Sequence, residues 1–408
     1  MGKNILISGA SIAGPALAFW LREYGFNPTV VERAPAMRDG GYAIDLRGAA
    51  VTVAERMGVL AEIQEARTGM RGMSAVDAAG RSFADIRMDE FVNDAGDIEI
   101  MRGTLGRILY ERTDGTEYLF GDSIRAIEQD SDGVHVSFER HAPRKFDLVV
   151  GADGLHSNVR QLVFGPESEF RRYLGYHVSI FSTDNFLGLD RWVALYNVPG
   201  KLAGSYQART DPGAKAILGF KSPELRFDHR DPQAQLALLE KAFAGERWIV
   251  PRLLEAARQA PDFYFDSITQ IHLDDWARGR VVLLGDAGYC PSPLSGQGSS
   301  LAMVGAYVLA GELLAAGGDH RTAFRRYAAK MWNYVALNQK MATDGARTLI
   351  PKTRGGLWLR NRLFRLMPYL PKAANTLSKD IHRAANAVDL RDYPQPPIRC
   401  RAPRSAGR

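Results

Sequence analysis

Cysteine is nearly absent: Cys290 and Cys400 are the two in a chain of 408 residues. Two thiols without ligand spacing build neither a disulfide framework nor a cysteine-rich metal site, and such sparing use fits a reducing compartment. The cytoplasm is the expected address. Long apolar runs are also lacking. The longest, Leu301 to Leu314, is broken by Glu312 and falls short of the roughly 20 residues that a membrane-spanning helix needs, so no integral membrane contact is expected. Excess charge of one sign is small, since 52 Lys and Arg against 46 Asp and Glu leave +6. The arginines are scattered and not gathered into a stripe with interleaved aromatics, so no nucleic-acid partner is implied. The eight histidines lack ligand spacing and no Ser-His-Asp set is visible, which leaves no metal in the expectation. His156 reads as a surface or turn residue.

What is present is ordinary for a folded protein: 46% apolar and 24% charged residues, with length for two to three domains at about 150 residues each. Lys3 followed by Ile5 to Leu21 resembles a secretory leader at first glance. A strand, a tight turn and a helix explain it better. Asn4 to Ser8 reads as a buried strand, Ala13 to Tyr24 as a helix, and Pro28 to Val31 as a second strand ending at Glu32. Between strand and helix lies Gly9-Ala10-Ser11-Ile12-Ala13-Gly14, the dinucleotide fingerprint with Ser11 in place of its middle glycine. Gly9 permits the turn, Gly14 permits close packing of helix on strand, and the helix start aims N–H groups at phosphate. Glu32, beside Arg33, lies eighteen residues after Gly14, near the spacing of the acid that accepts from ribose hydroxyls.

A second signal lies far along the chain. Arg280 to Ala287 reads as a buried strand ending in Gly285-Asp286, which places a carboxylate at a sheet edge where α/β folds bind ligands. Pro293-Leu294-Ser295-Gly296-Gln297-Gly298 follows, then an apolar helix from about Ser300 to Ala315. Taken alone, that segment is equally a glycine-rich turn with a cap.

Taken together, the segments resemble the class A flavoprotein monooxygenases, the group with the para-hydroxybenzoate hydroxylase fold, over roughly residues 1 to 345. The motifs that carry the resemblance are the fingerprint with Glu32; Gly151-Ala152-Asp153-Gly154 with Ser157 and Arg160; and Gly285-Asp286 with Pro293 and Gly296-Gln297-Gly298. Arg102 matches the family arginine that reaches the FAD phosphate or ribityl region. Gly40 to Gly48, Asp262 to Asp266, Tyr289 to Pro293 and Val304 to Tyr307 resemble, within that class, the tetracycline-inactivating flavin monooxygenases. Two positions depart from the class: Ala287-Gly288-Tyr289 stands where Ala-Ala-His is usual, and Gly305 where an aspartate is usual. Both are expected to adjoin the ring pocket.

The resemblance implies an α/β fold: a Rossmann-like FAD-binding domain from residues 1–170 and 271–345, an antiparallel-sheet substrate domain at 171–270, and C-terminal helices at 346–391. It also implies FAD as cofactor, NADPH or NADH as reductant, O2 as co-substrate and one oxygen atom inserted into a polycyclic, tetracycline-like substrate. Another aromatic or polyketide substrate is the alternative. A monomer is expected. The flavin contacts would come from Gly9, Ser11, Ala13, Gly14, Glu32, Arg33, Arg102, Asp153, Asp286, Gly296, Gln297 and Gly298. Asp45 and Arg47 are the polar candidates beside the ring, with Pro293 at its border. N–H groups near Gly296 to Gly298 would stabilise charge on the reduced ring. Tyr196, Phe220 and Tyr289 are the expected substrate walls.

Strands at Tyr173–Ser182, Trp192–Asn197, Leu202–Ala208 and Ala214–Phe220 would form the substrate roof. Arg354 to Lys372 is amphipathic and basic, with Trp358, Leu359, Leu363, Leu366 and Leu370 beside Arg360, Arg362 and Arg365. A helix bridging the two main domains, a solvated helix and a peripheral lipid contact all fit that pattern. Asp392 to Arg408, rich in proline and arginine, is expected to be disordered. Three rival classes fit less well. A flavin halogenase would carry Trp-x-Trp, which no two tryptophans here form; a dehydrogenase leaves the later motifs unexplained; a binding protein without turnover would not consume oxygen.

Overall fold

The computed structural model describes residues 2–38, 40–87, 96–229, 231–366 and 379–394, the side chains of 344–349 excepted. At its centre the strand Asn4–Ser8, buried from Ile5 onward, pairs in parallel with Asn27–Glu32 on one side and Leu148–Gly151 on the other. Near-continuous apolar strands suit a parallel sheet covered on both faces. Glu117–Phe120 extends the sheet beyond Asn27–Glu32, and Val281–Leu283 followed by Ala277–Arg278 extends the opposite side. The strand expected from Arg280 to Ala287 therefore stops at Leu283. Gly285 turns the chain at φ 64° and Asp286–Tyr289 is a short helical turn.

The helix Gly298–Ala315 packs on the fingerprint helix Ala13–Glu23 and on the long helix His320–Leu349. Every residue from Ser300 to Leu313 is buried, the mark of a helix apolar on all sides because protein surrounds it. By length and composition this helix could span a bilayer, but it is a core element here. Glu312, fully buried within it, accepts a 2.6 Å hydrogen bond from the Tyr393 hydroxyl and faces Lys330 Nζ at 3.6 Å.

A seven-stranded sheet forms the second unit, in the order Tyr264–Ile271, Arg171–Thr183, Ala214–Lys221, Lys201–Tyr206, Trp192–Val198, Gly72–Val76 and Ser82–Arg87. Four of these strands lie where alternation placed them. The last two come from inside the segment assigned to the FAD domain, so the boundary at residue 170 is not a clean one. Gly72–Val76 pairs in parallel with Trp192–Val198, which a reading of consecutive antiparallel strands could not foresee. Helices Pro232–Phe243 and Val250–Gln259 cover one face of this sheet.

At the C-terminus the expectation of disorder is corrected for residues 392–394, and one of the three readings of the basic helix is set aside. Tyr393 is ordered and 2% exposed; its ring lies 2.3 Å from where a Cβ on Gly311 would stand, so the helix glycine exists to admit it. Burying a ring of that size contributes on the order of 2 kcal/mol, which outweighs the local bias of a proline- and arginine-rich segment. Helix Arg354–Leu366 docks on the strands Ser82–Arg87 and Trp192–Val198, not between the two main domains. Trp358, Leu359, Leu363 and Leu366 stay exposed, whereas Arg360 is buried with its guanidinium 5.0 Å from the Phe364 ring. A long aliphatic stem lets arginine cover apolar surface in that way. Leu370 and residues 395–408 lie outside the described residues.

Candidate flavin and substrate site

Segments far apart in sequence meet at the carboxyl edge of the parallel sheet. A Cβ on Gly9 would lie 2.5 Å from the Ala152 carbonyl oxygen, and a Cβ on Gly14 would lie 1.9 Å from the carbonyl oxygen of Gly9. The fingerprint turn is thus wedged between its own helix and the Gly151-Ala152-Asp153 motif. Gly285 closes the other side, its Cβ position 3.5 Å from Ala13 and 3.6 Å from Ala302. Glu32 accepts hydrogen bonds from the N–H groups of Ala10 and Ala34, each at 2.8 Å. The acid therefore shapes the turn from which a ribose would be reached. Arg33, next in the chain, is exposed.

Ser11 has a use that glycine could not supply: its hydroxyl accepts a 2.8 Å hydrogen bond from Arg102 Nη2. Arg102 N–H donates to the Tyr42 carbonyl at 3.0 Å, so the arginine is fixed at both ends between the fingerprint and the Gly40–Gly48 loop. Asp286, half-buried at the cleft floor, has its carboxyl raised above the ordinary range by burial, opposed by Arg102 and the Cys290 thiol. Burial likewise pushes the Cys290 thiol well up, which makes it an inert packing group and not a nucleophile.

Asp45 and Arg47 are brought to the Pro293–Gly298 turn. A Cβ on Gly296 would stand 3.2 Å from Asp45 Oδ2 and 3.6 Å from Arg47 Nη1, and Gly296 holds the left-handed conformation at φ 63°. Asp45 and Arg47 pair at 3.0 Å, and Arg47 Nε also meets Asp97 at 3.2 Å. Ser300 ties this loop to the helix start: its hydroxyl donates to the Asp45 carbonyl and accepts from the Arg47 N–H, both at 3.3 Å. Pro293 is exposed at the rim, after Ser292 at φ 81°; a non-glycine residue there is strained, as at many ligand sites.

The turn's N–H groups are not all available, contrary to expectation. Gly296 N–H donates to the Pro293 carbonyl at 3.1 Å and Gln297 N–H to Ser295 Oγ at 3.0 Å. Anion-facing donors are left to the first helical turn from Gly298, whose N–H groups have no partner within the helix. Gln297 is fully buried and neither atom of its carboxamide has a protein partner. Glu99, missed in the sequence, pairs with Asp45 across two short strands, Ala43–Leu46 and Ile98–Met101. Burial raises its carboxyl to about 7, against a 2.6 Å hydrogen bond from Thr68 Oγ1.

A carboxyl whose folded pKa is raised binds its proton more tightly folded than unfolded, so stability falls as pH rises between about 4.5 and 7. Glu99→Gln should abolish that component. Above neutral pH the variant should melt a few degrees higher than the parent, and equal slopes of melting temperature against pH would refute this.

The three expected substrate walls lie elsewhere, for one physical reason in two of the cases. Tyr196 and Phe220 face the helix-covered side of the large sheet, among Phe181, Phe243 and Phe265. The side toward the FAD domain is formed by Tyr176, Val178, Ile180 and Leu202, with Leu195, Ile217 and Tyr264 packed beside them. Tyr42 and Leu294 of the FAD domain reach the same cluster. Leu195 and Tyr196 are neighbours that point to opposite faces, because side chains alternate along a strand. Apolar residues two apart, as in Val178 and Ile180, were the available signal, but alternation does not say which face meets the cofactor.

Tyr289 is in the core, 1% exposed, hydrogen-bonded to Tyr327 at 2.8 Å with its ring 4.6 Å from that of Trp276. A Cβ on Gly305 would lie 2.3 Å from its hydroxyl. The two departures from the class thus form one packing unit. The tyrosine occupies the space that a side chain at 305 would need, and both residues are buried in the core.

Asp153 uses its carboxylate internally, accepting from Ser8 Oγ at 3.3 Å, Val159 N–H at 3.0 Å and Ser157 Oγ. Arg160, with no exposed surface, donates to the carbonyls of Ala287 at 2.9 Å and Leu155 at 2.6 Å and pairs with Glu167 at 2.8 Å. Both brace the cleft.

FAD fits what these residues leave. There is a glycine turn that no Cβ could enter, an unpartnered buried carboxamide at Gln297, a helix start free of side-chain caps at Ala13–Glu23, and a carboxylate at a strand end. Residues 3–183 match the family described as FAD binding domain. A protein of Mycobacterium tuberculosis known as an uncharacterized protein is 50% identical over 348 residues, covering 84% of this chain and 93% of that one. A flavin-dependent monooxygenase from an unknown prokaryotic organism is 39% identical over 396 residues, covering 96% and 99%. Among solved structures, tetracycline destructase Tet(51) superposes with a TM-score of 0.84 at 34% identity, covering 96% of this chain and all of that one.

Proposed function

We propose that this chain, which belongs to the FAD-dependent monooxygenases, oxidises NADPH or NADH and inserts one oxygen atom of O2 into a polycyclic substrate of the tetracycline type. The observation that carries the substrate class is the apolar roof. Val178, Ile180, Leu202 and Ile217 form an apolar, largely buried face with Tyr176 and Tyr264, against which Tyr42 and Leu294 of the FAD domain and Ile350 also pack. A fused-ring molecule could lie flat against such a face, and the likeness to Tet(51) over its full length supports that reading.

Bound FAD supplies the redox and oxygen chemistry; the protein supplies binding, orientation and exclusion of water. Arg102 and Ser11 would hold the phosphate or ribityl region, and Asp286 would accept from a ribityl hydroxyl. Negative charge arising on the ring would be met by the helix start at Gly298 and by Arg47, whose position Asp45 and Asp97 fix. Such preorganised donors act without reorganisation at the moment of reaction. An open cleft of about 1060 Å³ is lined by Arg67, Arg191 and Arg209 together with Glu65 and Asp97; its arginines could meet the phosphates of the nicotinamide reductant. A reducing cytoplasm suits the free thiol of Cys290.

The test is NADPH consumption by the purified flavoprotein with and without chlortetracycline, with mass spectrometry of the product. Consumption should rise and the product should gain one oxygen atom. Unchanged consumption by protein that retains FAD would discard the tetracycline reading and leave another aromatic or polyketide compound as substrate.

A further inference from the structure

We propose that His156, His229 and Asp266 form a binding site for a divalent transition metal of the zinc class, at the seam between the FAD domain and the substrate sheet. Sequence spacing gives no hint of it, since the three residues come from the loop after Gly154, the segment before helix Pro232–Phe243 and the strand Tyr264–Ile271. In the fold their ligand atoms all lie within 4.8 Å of one another. His156 Nε2 is 3.0 Å from Asp266 Oδ2, and His229 Nδ1 is 3.8 Å from Asp266 Oδ1. Zinc bonds to nitrogen and oxygen of about 2.0–2.2 Å set tetrahedral ligands roughly 3.4 Å apart; the two separations, one to each carboxylate oxygen, are on that scale, and a rotation of the His229 ring, whose centroid lies 3.8 Å from that of His156, would bring the three residues onto one ion.

The surroundings are those that a metal histidine requires. Both carboxylate oxygens of Glu167 lie 3.1 Å from His156 Nδ1, so Nε2 is the nitrogen left for a metal. Glu167 is in turn held by Arg160 at 2.8 Å. Asp266, 4% exposed, is oriented by a 3.2 Å hydrogen bond from the Tyr264 hydroxyl and a 2.7 Å bond from Ser267 N–H. Both histidines are exposed, so an ion can enter and water can take the fourth position. Zinc would bridge His156 Nε2 and Asp266 in place of their direct hydrogen bond. An ion there joins the loop after Asp153 and Gly154 to the strand that carries Tyr264.

The test uses the full-length, tag-free, FAD-loaded protein, stripped with a chelator and dialysed against zinc chloride. One zinc ion per chain is expected, with a rise in melting temperature. His229→Ala, a change at an exposed residue, should lose both while keeping its flavin spectrum. Glu167→Gln should bind zinc about 10–100-fold more weakly. Absence of zinc uptake by the parent protein would overturn the proposal, and so would undiminished uptake by His229→Ala, which would place the ion elsewhere.

Discussion

Asp286→Ala should purify without yellow colour. The carboxylate stands at the end of the strand Val281–Leu283, with its Oδ1 3.7 Å from the Cβ position of Gly298, where two of the flavin motifs meet. Hydrogen bonds to a charged group contribute about 1.5–3 kcal/mol, so losing this one should weaken FAD binding roughly 10- to 100-fold. Unfolding would not be the cause. Burial disfavours the charged carboxyl, whose pKa is raised, so its removal relieves the apoprotein. FAD titration of the apoprotein and the ratio of flavin to protein absorbance measure the effect, and Asp286→Asn should retain part of the affinity. Full flavin occupancy in Asp286→Ala would remove this residue from the cofactor contacts.

Gly14→Ala should have the larger structural effect. One added carbon would meet the Gly9 carbonyl oxygen at 1.9 Å, and Gly9 has no room to withdraw because its own Cβ position is 2.5 Å from the Ala152 carbonyl. Three backbone segments would have to separate. Overpacking of this kind costs about 1–3 kcal/mol and more where backbone must move, and the displaced helix start would no longer aim at phosphate. A fall in melting temperature of several degrees together with loss of FAD is the expected result. Unchanged melting temperature and flavin content would show that the turn is looser than its geometry implies.

The site's residues differ in how legible they were. The turn at Gly9 and Gly14 and the strand end at Glu32 could be read from the chain because the strand–turn–helix motif is local, and a local motif carries its geometry with it. Ser11 illustrates the limit. Its departure from glycine reads as a small tolerated change, and only the fold shows the hydroxyl paired with Arg102. Glu99, Asp97 and His229 gave no signal, because they acquire meaning from partners far away in sequence.

Periodicity placed the strands of the substrate sheet, yet Tyr196 and Phe220 were assigned to the wrong side. Alternation defines two faces but does not label them; helices Pro232–Phe243 and Val250–Gln259 decide that by covering one. Tyr289 with Gly305, and Tyr393 with Gly311, show the same division from the other direction: each glycine was visible, and the ring that fills its space was not. The sequence by itself determined the first strands and the dinucleotide turn with its helix, since those follow from short-range sterics and from backbone groups at helix and strand ends, and the cofactor came from the resemblance of its motifs to a family. The tertiary structure alone decided which face of the sheet the helices cover and which packs against Tyr42 and Leu294, which carboxylates are buried together and which strands cross the domain boundary, because each depends on long-range packing.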